Sequence, residues 1–102
     1  MKRTDKIANG TSFHDHTFTA TVDDLRNVLG QPKFESNDGQ DKCNFDWIME
    51  TEDGTVFTVY DWKEYRQLAE DETIEWHIGG RSGADTEKAL LEIREALMAY
   101  TL

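Results

Sequence analysis

One stretch constrains this chain more than any other: FDWIMETEDGTVFTVY, residues 45–60, in which Asp53-Gly54 separates two runs of β-forming residues. An Asp-Gly pair between such runs is a strong hairpin signal, because both central positions of the favoured turn need positive φ. In the first run Phe45, Trp47 and Met49 alternate with Asp46, Ile48 and Glu50, and β-branched and aromatic residues dominate the second. Strands over 44–50 and 55–60 are therefore expected to form the heart of an antiparallel sheet.

The remaining elements arrange themselves around that hairpin. Residues 74–78 predict another strand, with Ile74, Trp76 and Ile78 on one face and Glu75 and His77 on the other, and the strand over 55–60 as its partner. Residues 13–20, FHDHTFTA, predict a strand that puts His14, His16, Phe18 and Ala20 on one side. Thr21 with Asp24 makes a capping box for a helix over Val22–Leu29, and Gly30 and Pro32 supply its stop. Two turns of helix cannot stand alone, so this one must pack on the sheet. From 84 to 100, Ala89, Leu90, Ile93, Ala96, Leu97 and Tyr100 form the apolar stripe of a long helix, with Ser82 or Asp85 as its cap. Residues 33–43 read as a loop, and 1–12, polar and containing Asn9-Gly10, as a flexible N-terminal arm. The expected domain, 13–102, is a single α+β unit: a small antiparallel β-sheet with a short N-terminal helix and a long C-terminal helix packed on one face, in the order β-α-β-β-β-α.

Charge narrows the function classes. With 11 Lys and Arg against 21 Asp and Glu in 102 residues, the net charge of −10 excludes direct, sequence-independent nucleic-acid binding, which needs clustered cations to release counterions. The acidity is concentrated: residues 34–75 carry three Lys/Arg and thirteen Asp/Glu, whereas the flanking segments are close to neutral. No apolar run approaches the roughly 20 residues of a membrane span, and the first residues lack the apolar core of a secretion signal. The single cysteine, Cys43, has no internal partner for a disulfide, as befits a reducing cytoplasm.

Two stretches carry candidate binding chemistry. Tyr60-Asp61-Trp62-Lys63 follows the second hairpin strand and sets Tyr60, Trp62 and Lys63 where stacking and cation-π contacts with a ring ligand become possible; the alternative is that the aromatics close the core edge. Trp76-His77-Ile78-Gly79-Gly80-Arg81-Ser82 runs from a strand through glycines into a helix start. There Trp76 and His77, the Gly79 and Gly80 backbone, Arg81 and Ser82 would grip a phosphate; the alternative is a strand-to-helix turn with Ser82 as cap. Neither stretch matches a P-loop or dinucleotide fingerprint. His14 and His16, two apart on one face of a strand, could be joined by His77 to offer three imidazoles to zinc, but no HExxH or CxxC pattern supports a metal there, and no nucleophile has an evident base partner. A non-catalytic binding protein without cofactor is the reading these residues favour.

VFTVYDWK at 56–63 and EWHIGG at 75–80 resemble paired motifs in a group of small tailed-bacteriophage proteins. The resemblance extends to a short helix ending near Gly-x-Pro, here 25–32, and to a tryptophan shortly before an Asp-Gly turn, here 47–54. It implies a phage origin and an accessory, non-structural role in the cytoplasm of the infected bacterial host. Two functions are then expected in competition. One is counter-defence by binding and sequestering a phosphate-bearing, nucleotide-like small ligand, with a pocket that a homo-oligomer could share. The other is an acidic, DNA-mimic-like inhibitor that docks on a basic host protein. A virion or assembly component ranks behind both, since no coiled coil or interaction arm is evident.

Overall fold

The computed structural model describes residues 1–101. Its order is β1 (Lys2–Arg3), β2 (Ser12–Ala20), α1 (Val22–Leu29), β3 (Phe34–Glu35), β4 (Phe45–Glu50), β5 (Val56–Tyr60), β6 (Ile74–Gly80) and α2 (Gly83–Thr101). All pairings are antiparallel; the sheet runs β1-β4-β5-β6-β2, with β3 also on β4. Helices α1 and α2 touch one another, and α2 crosses β2, β5 and β6. The result is the expected α+β domain, with two further strands that two-residue pairings make invisible to periodicity.

Alternation along the strands sorts the side chains by face. Phe45, Trp47 and Met49 of β4, Phe57 and Val59 of β5, and Ile74, Trp76 and Ile78 of β6 join Leu25, Leu29, Ala89, Leu90 and Ile93 in the core. Trp47 and Trp76 meet edge to face at 5.6 Å, and Phe45 stacks on Trp47 at 5.9 Å. Each buried indole N–H finds a carbonyl: Trp47 Nε1 donates to Gly30 O at 2.8 Å and Trp76 Nε1 to Ala20 O at 2.9 Å.

Thr21 caps α1 with the reciprocal Asp24 bonds expected of a capping box, and Gly30 ends it at φ 85°. At the start of α2, Ser82 Oγ accepts from Asp85 N at 3.1 Å, which settles the cap in favour of Ser82. Ala89, Leu90 and Ile93 are buried as the stripe requires, but Tyr100 is exposed because α2 outruns the sheet. Strand β2 departs from strict alternation: its register shifts between Phe13 and Thr17, around Asp15 at φ 67°. Phe13 and His77 consequently meet on the face away from the helices.

The segment read as a loose arm is held against the sheet. Beyond β1, Thr4 Oγ1 donates to Glu50 at 2.8 Å, Lys6 pairs with Glu50 at 3.1 Å, and Arg81 Nε and Nη2 donate to the carbonyls of Asn9 and Ile7 at 3.0 and 2.6 Å. Polarity misleads here, because the arm docks through ion pairs and backbone carbonyls and not through an apolar stripe.

Candidate functional site

The face of the sheet opposite the helices carries the candidate site. Register places Asp46 opposite Tyr60 and Tyr60 opposite His77, so the three side chains form one row across β4, β5 and β6, with adjacent strands about 4.8 Å apart. Tyr60 and His77 stack at 5.7 Å and 22°, Phe13 leans on His77 at 4.8 Å, and Trp62 meets Tyr60 edge-on at 6.0 Å. These four rings enclose a depression of about 380 Å³. A second depression, about 290 Å³, adjoins it across Tyr60 and is lined by Thr11, Ser12, Cys43, Asp46, Thr58 and Gly79 among others.

Trp62 owes its place to a buried polar knot. Asp61, fully buried, accepts from Asn44 N at 2.8 Å, Phe45 N at 2.9 Å and Asn44 Nδ2 at 3.2 Å. Asn44 Nδ2 also donates to Arg66 O, and Asn37 exchanges two bonds with the backbone of Leu68. The loop 61–68 is thereby fixed to the start of β4, at the cost of positive φ at Lys63 (55°) and Tyr65 (50°). With Asp15, these are the chain's non-glycine residues at positive φ among those described, and Lys63 directly follows Trp62 in the chain while Asp15 lies two positions beyond Phe13. Backbone held in a sparsely populated region concentrates at functional sites. The ammonium groups of Lys42 and Lys63 lie 5.8 and 5.4 Å from the Trp62 ring.

Two buried polar atoms among the described residues lack a hydrogen-bond partner, Asp46 Oδ1 and His77 Nδ1, and they flank Tyr60 in the same row. Burial, with the Asp61 charge adding to it, pushes the Asp46 carboxyl up to about 6. Burial likewise lifts the Cys43 thiol to about 11, with Asp61 and Asp46 adding to it, which makes this cysteine a poor nucleophile. Burial also raises Tyr60 above its ordinary value.

The sequence-derived site divides. Tyr60, Trp62 and His77 come together, with Lys63 at the rim. Trp76 does not join them: it is 0% exposed on the core face, as its alternation with His77 requires. The phosphate grip is not assembled either. Gly79 and Gly80 continue β6 as ordinary extended backbone, and their lack of a side chain serves packing. A Cβ on Gly79 would come within 2.5 Å of Thr58 Oγ1, and one on Gly80 within 2.7 Å of Thr86 Cγ2. Arg81 is spent on the arm's carbonyls and Ser82 on capping α2. The histidines part as well: His14 Nε2 lies 3.1 Å from Gly80 O, His16 Nδ1 lies 2.6 Å from Thr86 Oγ1, and His77 faces the other way. Among the described residues no group of three His, Cys, Asp or Glu side chains could hold a metal ion.

Phe13 and Asp46 are the site residues that sequence reasoning passed over. Asp46 was legible as a polar-face position of its strand, but its burial depends on the neighbouring loops. Phe13 depends on the β2 bulge. Another depression, about 590 Å³, has its charged lining residues engaged with one another, Arg26 with Glu35 and Glu70. The chain matches no protein-family model, no curated protein and no solved structure.

Proposed function

We propose that this is a non-catalytic binding protein whose open sheet face takes up a small planar-ring ligand of nucleotide-like character. The observation that carries the reading is the four-ring depression formed by Phe13, Tyr60, Trp62 and His77 on a face that the helices leave uncovered. Rings at these spacings offer faces and edges for stacking a heterocycle. Lys42 and Lys63 at the Trp62 rim supply cations for a phosphate, in place of the glycine turn and Arg81. With the motif resemblance to small tailed-phage proteins, the reading becomes sequestration of a nucleotide-like ligand in the infected host's cytoplasm, as counter-defence.

The competing reading, an acidic decoy for a basic host protein, is weakened by where the acidic side chains go. Glu35 and Glu70 pair with Arg26, Glu64 and Glu72 with Arg66, Glu50 with Lys2 and Lys6, and Asp53 with Lys88. Asp61 is buried.

Thermal denaturation with a mononucleotide and with a cyclic dinucleotide tests the proposal. A ligand that binds only the folded chain stabilises it by RT ln(1 + [L]/Kd), about 2.7 kcal/mol at a hundredfold excess over Kd. The Tm should rise with one of these ligands, and the rise should vanish in Trp62→Ala but persist in Arg81→Ala. A rise that survives in Trp62→Ala, or no rise with either ligand, refutes the assignment.

A further inference from the structure

We infer that the ring ligand carries a hydrogen-bond donor, a hydroxyl or an ammonium group, at the end that meets the Asp46 carboxylate, and that this contact selects among ring ligands. The inference rests on the ring-binding reading above and adds the chemistry of the ligand's second end. Because Tyr60 lines both depressions, a ligand stacked in the aromatic one reaches the other by extending past the same side chain. The second depression owes its room to Gly79, where a Cβ would already crowd Thr58 Oγ1.

Asp46 is the group in that space whose needs are unmet. Glu50, four residues along on the same strand face, takes Thr4 Oγ1, Lys2 and Lys6. Among the described residues Asp46 has no Lys, Arg or His within 4.0 Å, and its buried Oδ1 accepts no bond. Its neighbours do not help. The Asp61 carboxylate carries the same sign and is committed to Asn44 and Phe45, and the Cys43 thiol is a weak donor. A carboxylate in such surroundings repels an anion and rewards a donor, most of all a cationic one. The phosphate of a nucleotide therefore points away from Asp46, toward Lys42 and Lys63. Sugar hydroxyls, or an amine in a different ring compound, face the carboxylate.

Titrations of the ¹⁵N-labelled full chain, followed by NMR, test this with two matched pairs. Tryptamine against indole-3-propionate varies an ammonium for a carboxylate on one ring, and adenosine against 2′,3′-dideoxyadenosine removes the hydroxyls. At least one donor-bearing member should bind roughly 10- to 100-fold tighter than its partner, the range expected for a charge-assisted bond. That preference should fall to about twofold or less in Asp46→Asn and Asp46→Ala, while Tyr60, Trp62 and His77 still respond to the ring. A preference in the first pair assigns the ammonium and one in the second assigns the hydroxyls. If the rings bind but neither pair shows a preference, or the preference survives in both variants, the inference fails while the ring-binding reading stands. If none of the four compounds moves the Tyr60, Trp62 and His77 resonances, both fail.

Discussion

Removing the Asp61 carboxylate would strand the backbone N–H groups of Asn44 and Phe45 in the interior without an acceptor and leave Asn44 Nδ2 with Arg66 O alone. Asp61→Ala should therefore cost about 2 to 4 kcal/mol by urea denaturation, since buried donors left unpaired forfeit their full desolvation cost. It should also free the 61–68 loop, seen as a red shift of Trp62 emission that precedes global unfolding. A stability change within about 0.5 kcal/mol would mean that the knot is not what holds the site. The residue scale also shows what a sequence conveys. That Trp76 and His77 point to opposite faces follows from the period of a strand alone, so one pocket could never hold both. The unmet need of Asp46 follows from nothing local: it is created by Asp61, Cys43 and the loop packing around them.

At the scale of elements, legibility tracks how local the deciding interaction is. Helix α1 was readable to the residue because Thr21, Asp24 and Gly30 fix its ends through contacts within a few positions. Strands β1 and β3 were not, since each exists only by pairing with β4. The end of β6 misled for a related reason. Gly79-Gly80 reads as a turn, but extended neighbours on both sides and the close approach of Thr58 and Thr86 make it strand. This gives a sharp prediction. Gly79→Ala should destabilise by about 1 to 3 kcal/mol through overpacking against Thr58, and Thr58→Ala should recover a large part of that loss in a double-mutant cycle. Additive losses in the double variant would remove Thr58 as the cause. If Gly79 served instead as a flexible joint, both substitutions would act independently.

For the molecule as a whole, titration sets two opposing trends. Asp46 is raised in the fold, and burial raises Asp61 in the same direction; the Asp46 contribution is full below about 3.8, its unfolded value, and is lost as pH rises through about 6. Asp53, Glu50 and Glu72 are lowered: hydrogen bonds from Lys88, Thr51 and Thr55 act on the first, from Thr4, Lys6 and Lys2 on the second, and from Arg66 and the Ala69 backbone on the third. Their contribution is present above the ordinary carboxylate range and is lost as pH falls through it. Stability should peak near about pH 5, where both sets contribute. In Asp46→Asn the decline from pH 5 to 8 should flatten while the acid limb stays unchanged. Tm measured across pH 3 to 8 checks both limbs, and an unaltered alkaline decline in the variant would show that Asp46 is not its source. The clustered acidity that was so plain in the sequence acquires a different meaning here, because cations from distant positions neutralise much of it in space.

The bulge at Asp15 bears on how copies of this chain behave toward one another. Strand β2 forms one border of the sheet, and the left-handed kink there breaks the run of outward-facing amide and carbonyl groups that a strand from another molecule would need to add in register. At the opposite border, β1 and β3 are only two residues long and sit side by side on β4. Neither border offers a template for end-to-end growth. The sheet is in effect a finished piece, guarded against fibril formation by local geometry, and its uncovered face can stay open without inviting strand exchange.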